Sequence, residues 1–285
     1  MNICINDKPA DITLDTEKTL GDVLSGIELW ISPSGNRIQG ISVNGQALGE
    51  DTLPASFNRD IKDIKKLDIV VSSYRELAAE ALGSLYEICI LYGNAAFDDR
   101  PQIAETWEKS AAARFLRTDI SDIYELAGRS FSGEGFSAQD LSIFIRERLR
   151  EIADPGQEIC GCEALVKGIA ERMEELPLDI QTGKDQRAAE TIQHFSRTGE
   201  KLFRIFFILK SEGLSLDTFV IDGLPARTFM EELKAALSEL SAAYENRDTV
   251  LVGDLSEYEL APRLLKFFFA LKNYSELLQP TESAP

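Results

Sequence analysis

Leu67-Asp68-Ile69-Val70-Val71-Ser72-Ser73-Tyr74 is the stretch at which this chain changes its periodicity. Residues 67–72 form a strand-like run. From Ser73 onward almost every long apolar segment repeats at helical spacing. Upstream, Asn2-Ile3-Cys4-Ile5-Asn6 alternates polar and apolar residues, as does 11–15, and Asp7-Lys8-Pro9-Ala10 between them has turn chemistry. The two runs are therefore expected to pair as a hairpin. Thr19-Leu20-Gly21-Asp22 offers a capping box, and Leu20, Val23, Leu24, Ile27 and Ile31 fall on one helical face. Ser32-Pro33-Ser34-Gly35 stops that helix. Residues 37–43 are the next strand. Asn44-Gly45 marks a type I′ turn, whose two central positions need positive φ, and 46–48 is its short return strand.

Downstream, Leu77, Ala81, Leu85, Ile88 and Tyr92 line one stripe of a helix over 74–97. Asp98-Asp99-Arg100-Pro101 breaks it, and Pro101 suits the first turn of a helix reaching 116 with Ile103, Trp107 and Phe115. Further helices are expected over 119–131, from Ser137 to Pro155-Gly156 with Leu141, Phe144, Ile145, Leu149 and Ile152 on one face, and over 162–176, 187–211, 226–246 and 248–278. Ser132-Gly133-Glu134-Gly135 is a loop. Residues 218–223 are β-branched like a strand but sit among helices, which leaves strand and helix end both open. No repeat of 20–50 residues is present, which argues against a solenoid. The fold class is α+β: a sheet-containing domain over 1–72, an all-helical domain over 73–280, and a frayed tail over 281–285.

The 285 residues are 44% hydrophobic and 27% charged, the composition of a soluble globular protein. Thirty bases against 48 acids give a net charge of −18, which disfavours nucleic acid and anionic membrane surfaces as partners. No basic-then-apolar leader and no spanning-length apolar run is seen. Cys4, Cys89, Cys160 and Cys162 lack framework spacing, and usage this sparse fits the cytoplasm.

The order strand, strand, helix and further strands within residues 1–72 resembles the β-grasp, or ubiquitin-like, fold. Within that fold, sulfur carriers of the thiamin and molybdopterin type end in a flexible Gly-Gly. The corresponding place here reads Val71-Ser72-Ser73-Tyr74, and the chain continues. Ferredoxins of this fold need four cysteines at cluster spacing, and only Cys4 lies in the region. The resemblance therefore implies a docking or packing module.

Chemistry-bearing motifs are sparse. His194 is the sole histidine, which excludes His-rich zinc sites and most Ser-His-Asp triads. Cys160-Gly161-Cys162 lacks a second pair, Gly133-Glu134-Gly135 follows no strand, and Gly183-Lys184 lacks the upstream glycine of a phosphate loop. No cofactor is implied. Asp254, Glu257 and Tyr258 stand at i, i+3 and i+4, one helical face that could do acid–base work, bind a hard cation, or simply be solvated. Their segment, Asp-Leu-x-Glu-Tyr-Glu-Leu-x-Pro, resembles one in uncharacterised bacterial proteins. The aromatics Phe203, Phe206, Phe207, Phe267, Phe268, Phe269 and Tyr274 imply either helices buried on several sides or a patch for a partner, with Phe267, Phe268 and Tyr274 as its candidates.

The function expected from these features is that of a non-catalytic cytoplasmic bacterial adaptor or regulator that binds another protein. It would use the edge of the sheet or the 267–274 face. The alternatives are a carboxylate-based enzyme or metal-binding protein using Asp254, Glu257 and Tyr258, and a helical secretion or flagellar-type chaperone.

Overall fold

In the computed structural model, which describes residues 1–49 and 51–278, strand β5 (Lys66–Ser73) runs directly into helix α3 (Tyr74–Asn94). Ser73 makes the join. Its hydroxyl accepts from the Glu76 amide at 3.1 Å, and the Glu76 carboxylate accepts from the Ser73 amide at 2.8 Å. This is a capping box built on the last residue of a strand, which still pairs with Asn36.

Four strands precede it: β1 (Asn2–Ile5), β2 (Lys8–Pro9), β3 (Asn36–Val43) and β4 (Gln46–Ala47). The sheet order is β2-β1-β5-β3-β4, with β1 parallel to β5 and the other pairs antiparallel. Helix α1 (Leu20–Ile31) lies on one face. Its Leu20, Val23, Leu24, Ile27 and Ile31 meet Ile3, Ile41, Val43, Leu67 and Ile69 of the sheet, and a short α2 (Leu53–Ser56) follows β4. The Thr19–Asp22 capping box and the positive φ of Asn44 and Gly45 are both present.

The first hairpin is tighter than the alternation suggests. Asn6 and Asp7 take φ of 48° and 63° and make the two-residue turn themselves, so the return strand is Lys8–Pro9. The pairing with β1 ends one residue later, where the Ala10 amide donates to the Ile3 carbonyl at 2.9 Å, and residues 11–15 form no strand. Asn6 then uses its side-chain amide as a strand residue would use its backbone. Nδ2 donates to the Val71 carbonyl at 2.9 Å and Oδ1 accepts from the Val71 amide at 2.8 Å.

The helices continue with α4 (Arg100–Glu108), α5 (Ala111–Asp119), α6 (Ser121–Ser132), α7 (Ala138–Ala153) and α8 (Pro155–Gly161). The single helix expected to reach residue 116 is two, because Ser110 caps α5 by accepting from the Ala113 amide at 3.0 Å. Pro155 opens α8 after its cap Asp154. Along α3 the buried stripe is Ala78, Ala81, Leu82, Leu85 and Cys89, one step round from the expected one. Next come α9 (Glu163–Glu174), α10 (Leu176–Gln181) and α11 (Asp185–Ser211). A strand pair, β6 (Val220–Ile221) and β7 (Leu224–Pro225), joins through Asp222 and Gly223 at positive φ, so 218–223 is a hairpin strand and not a helix end. The chain ends its described part with α12 (Ala226–Glu245), α13 (Thr249–Asp254), a π-helical stretch (Leu255–Leu260) and α14 (Ala261–Leu278). The expected tail over 281–285 lies outside the described residues. No helix among the described residues is long and apolar enough to cross a membrane.

The chain forms two compact units, Met1–Ile145 with Ser211–Gly213, and Arg146–Lys210 with the chain from Leu214 onward. The change from sheet to helix at Ser73 therefore lies inside the first unit. There Arg37 pairs with Asp119 at 2.7 Å and lies over the Tyr74 ring, tying β3 to α5 and α3. In the second unit Phe267 of α14 gathers Phe203 and Phe206 of α11 and Phe229 of α12 at centroid distances of 5.1, 5.6 and 6.3 Å.

Gly35 is the tightest glycine of the first unit. Its φ is +70°, and a Cβ there would fall on the Ser211 carbonyl oxygen. Gly35→Ala is expected to lower stability by about 2 kcal/mol or more, the left-handed cost plus overpacking against backbone. Urea unfolding followed by circular dichroism measures the change.

Candidate functional site

The π-helical stretch decides the fate of the acidic face. Its i→i+5 hydrogen bonding replaces the i→i+4 ladder, so spacings of three and four no longer mark one stripe in the α-helical way. Asp254 is exposed, Glu257 half-buried and Tyr258 65% exposed. A hydrogen bond from the phenol to the Glu257 carboxylate, with the charges of Glu257 and Asp254, pushes the Tyr258 hydroxyl above its usual range. The Tyr258 phenol meets the Glu257 carboxylate at the surface, with the Asp254 charge close enough to act on it. Nearby, Arg263 pairs with Glu259 and Glu232, and Lys266 with Asp222. Among the described residues no group of three His, Cys, Asp or Glu side chains could hold a metal ion.

The aromatic face is corrected more sharply. Phe267 and Phe268 are 1% and 0% exposed, and Tyr274 is half-buried with its ring 5.5 Å from that of Phe219. Two phenylalanines at consecutive positions are both buried because α14 is covered on several sides, by α8 and α9 and by the phenylalanines of α11 and α12. These residues are core and offer no docking surface. His194 is exposed on α11, and the four cysteines are free thiols. Lys184 and Arg187, beside the shallow cleft after α10, are both committed to Asp179, at 3.3 and 3.0 Å.

Two features escaped the sequence patterns. One is a charge cluster between α7, α8 and α11. Glu151 is 1% exposed and receives two hydrogen bonds from Arg204, at 2.9 and 2.7 Å, with Arg148 at 3.9 Å. Lys201 bridges Glu147 at 3.1 Å and Glu158 at 2.8 Å, and Arg150 reaches Glu158 from outside. Burial pushes the Glu151 carboxyl up to about 7, against the pull of Arg148 and Lys201. Every charge here has a partner, which makes the cluster a structural clamp between helices.

The other is the outer face of α1. Leu29 and Trp30 are 78% and 67% exposed, adjacent, and off the stripe that packs on the sheet. Gly26, one turn earlier, would place a Cβ in open space. The sequence held the clue by subtraction, since Leu29 and Trp30 are the large apolar residues that the packed stripe leaves over. Residues 11–36 contain five acids (Asp11, Asp15, Glu17, Asp22, Glu28) and one base (Lys18), whereas the remainder of 1–72 holds six of each. Backbone hydrogen bonds hold Glu17 and Asp22 below the usual carboxylate range, so both stay ionised.

Comparison with known proteins gives two partial family matches. Residues 1–73 match a family described as TP0873 N-terminal domain, and residues 161–268 match a domain of unknown function (DUF8042). An uncharacterised protein of Treponema pallidum (strain Nichols) is 23% identical over 264 residues, covering 92% of each chain. No solved structure matches. The first match ends at the Ser73 join and contains the α1 face. The second contains the π-helical stretch.

The clamp makes a pH prediction. A carboxyl pushed above its unfolded value contributes stability fully below that unfolded value and loses it as pH rises through about 7. Between pH 5 and 8 the urea midpoint should therefore fall, and Glu151→Gln should flatten that slope. The opposite case, Glu163, held down to about 2 by Lys167 and Lys272, weakens the protein only below the ordinary carboxylate range. A variant slope equal to that of the parent would exclude Glu151 as its source.

Proposed function

We propose that the protein is a non-catalytic, cytoplasmic adaptor or regulator that binds another protein through its N-terminal domain. The observation that carries this reading is the exposed Leu29–Trp30 pair on α1. Tryptophan is the residue type most enriched at interaction hot spots, and a monomer gains nothing by holding one in water beside a leucine. We read the N-terminal domain itself as a β-grasp. The order β2-β1-β5-β3-β4, the parallel β1–β5 pair and a single helix across one face support that assignment. The sheet edges are a less favourable docking place, since β2 and β4 are two residues each. Four free thiols, three of them buried, fit a reducing compartment.

The test compares the intact chain with Leu29→Ser/Trp30→Ser in affinity capture from native cells. A partner retained by the parent and lost by the double variant is the expected result. No reproducible partner, or equal recovery by both proteins, would overturn the reading. Both substitutions are at exposed positions and should leave the circular dichroism spectrum and the urea midpoint within about 0.5 kcal/mol of the parent.

A further inference from the structure

The chemistry around Trp30 also selects the kind of partner. Several aromatic rings of this chain carry a cation: Arg37 over Tyr74, Arg100 over Tyr92, Arg117 over Tyr124, Lys167 over Phe269 and Lys210 over Phe207. The last of these shows that even a strongly exposed ring is covered in this way. Among the described residues Trp30 has no such partner, although the indole face attracts cations more strongly than phenol or benzene rings do.

Two sources of negative potential meet at this end of α1. Glu28 is exposed beside Leu29 and makes no side-chain ion pair among the described residues. The last turn of α1 contains no basic residue to offset its carbonyl end, where the helix dipole is negative. The other acids of residues 11–36, Asp11, Asp15, Glu17 and Asp22, lie before the helix or in its first turn, and add to the net charge of the domain and not to this end of α1. A second copy of this chain, at −18, would bring the same charges against themselves.

We propose that the C-terminal end of α1 docks a basic segment of a partner protein. An Arg or Lys of that segment lies over the Trp30 ring, an apolar side chain packs on Leu29 beside the notch at Gly26, and Glu28 with the carbonyl end of the helix supplies the countercharge. This rests on the adaptor reading and adds the partner's chemistry to it.

The chain's two tryptophans make the test direct, because Trp107 is buried and Trp30 reports the surface. The full-length protein is titrated with a synthetic peptide alternating Arg and Leu, and separately with its Glu and Leu counterpart. The expected result is a blue shift and acrylamide protection of the Trp30 emission with the Arg peptide only. Affinity, read by isothermal titration calorimetry for the parent and every variant, should fall about threefold to fivefold in Trp30→Leu. It should fall further in Glu28→Lys and at about 0.5 M salt, where surface charges are screened within a few ångströms.

Equal affinity of the Arg peptide for Leu29→Ser/Trp30→Ser would show attraction to net charge alone and overturn the proposal. Equal binding of the Glu peptide would do the same, as would dimers in sedimentation that Leu29→Ser dissolves. A native partner captured through Leu29 and Trp30 whose release is insensitive to salt would sink the basic segment and leave the adaptor reading standing. The absence of any partner would remove the adaptor reading itself.

Discussion

Strand β5 is the member on which the first unit depends. It is paired on both sides, parallel with β1 and antiparallel with β3, so removing it leaves no sheet. Its apolar residues Leu67 and Ile69 face α1, while its last residue is already the cap of α3. A strand that ends as a helix cap has no slack. The direction of α3 is set by the pleat of β5 and by one serine–glutamate pair, and the Arg37–Asp119 bridge adds a second point of attachment from β3.

Charge and aromatic surface are handled in opposite ways at two places, the clamp and α14 core of the second unit and the outer face of α1 in the first. In the second unit, acids that would be costly to bury are buried and matched, as Glu151 is by Arg204, and Phe267 and Phe268 of α14 fill the core. Breaking one member of such a pair costs several times what the pair itself contributes, because the other charge is left dry. In the first unit, α1 keeps acids and a tryptophan in water with no cation near the ring. The proposed interaction surface belongs to the sheet-based N-terminal part of the chain.

Much of this organisation was legible in the sequence, for local reasons. Thr19 with Asp22, Asn44 with Gly45, and the α1 stripe each encode their structure within a few residues, and each is present. The misreadings have equally definite causes. Asn6-Asp7 is a weaker turn pair than Asn-Gly, and the later alternation at 11–15 imitates a strand beyond the point where pairing with β1 ends, the Ala10–Ile3 hydrogen bond. Ser110 breaks a helix whose apolar pattern runs on through it. The acidic face at 254–258 was placed by α-helical spacing in a stretch that is π-helical, a distinction that depends on tertiary packing around Leu255, Ser256 and Leu260. Burial of Phe267 and Phe268 depends on neighbours far away in sequence, which no local period can reveal.

The parallel pairing of β1 with β5 has a consequence during synthesis. Residues 2–5 leave the ribosome well before their partners, residues 66–69. At about 5–20 residues per second, β1 waits roughly 3–13 s for a mate. In that interval the α1 turn and the β3–β4 hairpin can form from local contacts, while Ile3 and Ile5 have only the short β2 return to pair with. Nascent chains stalled before residue 66 should thus present a sticky leading strand, a natural client for holding factors at the exit tunnel.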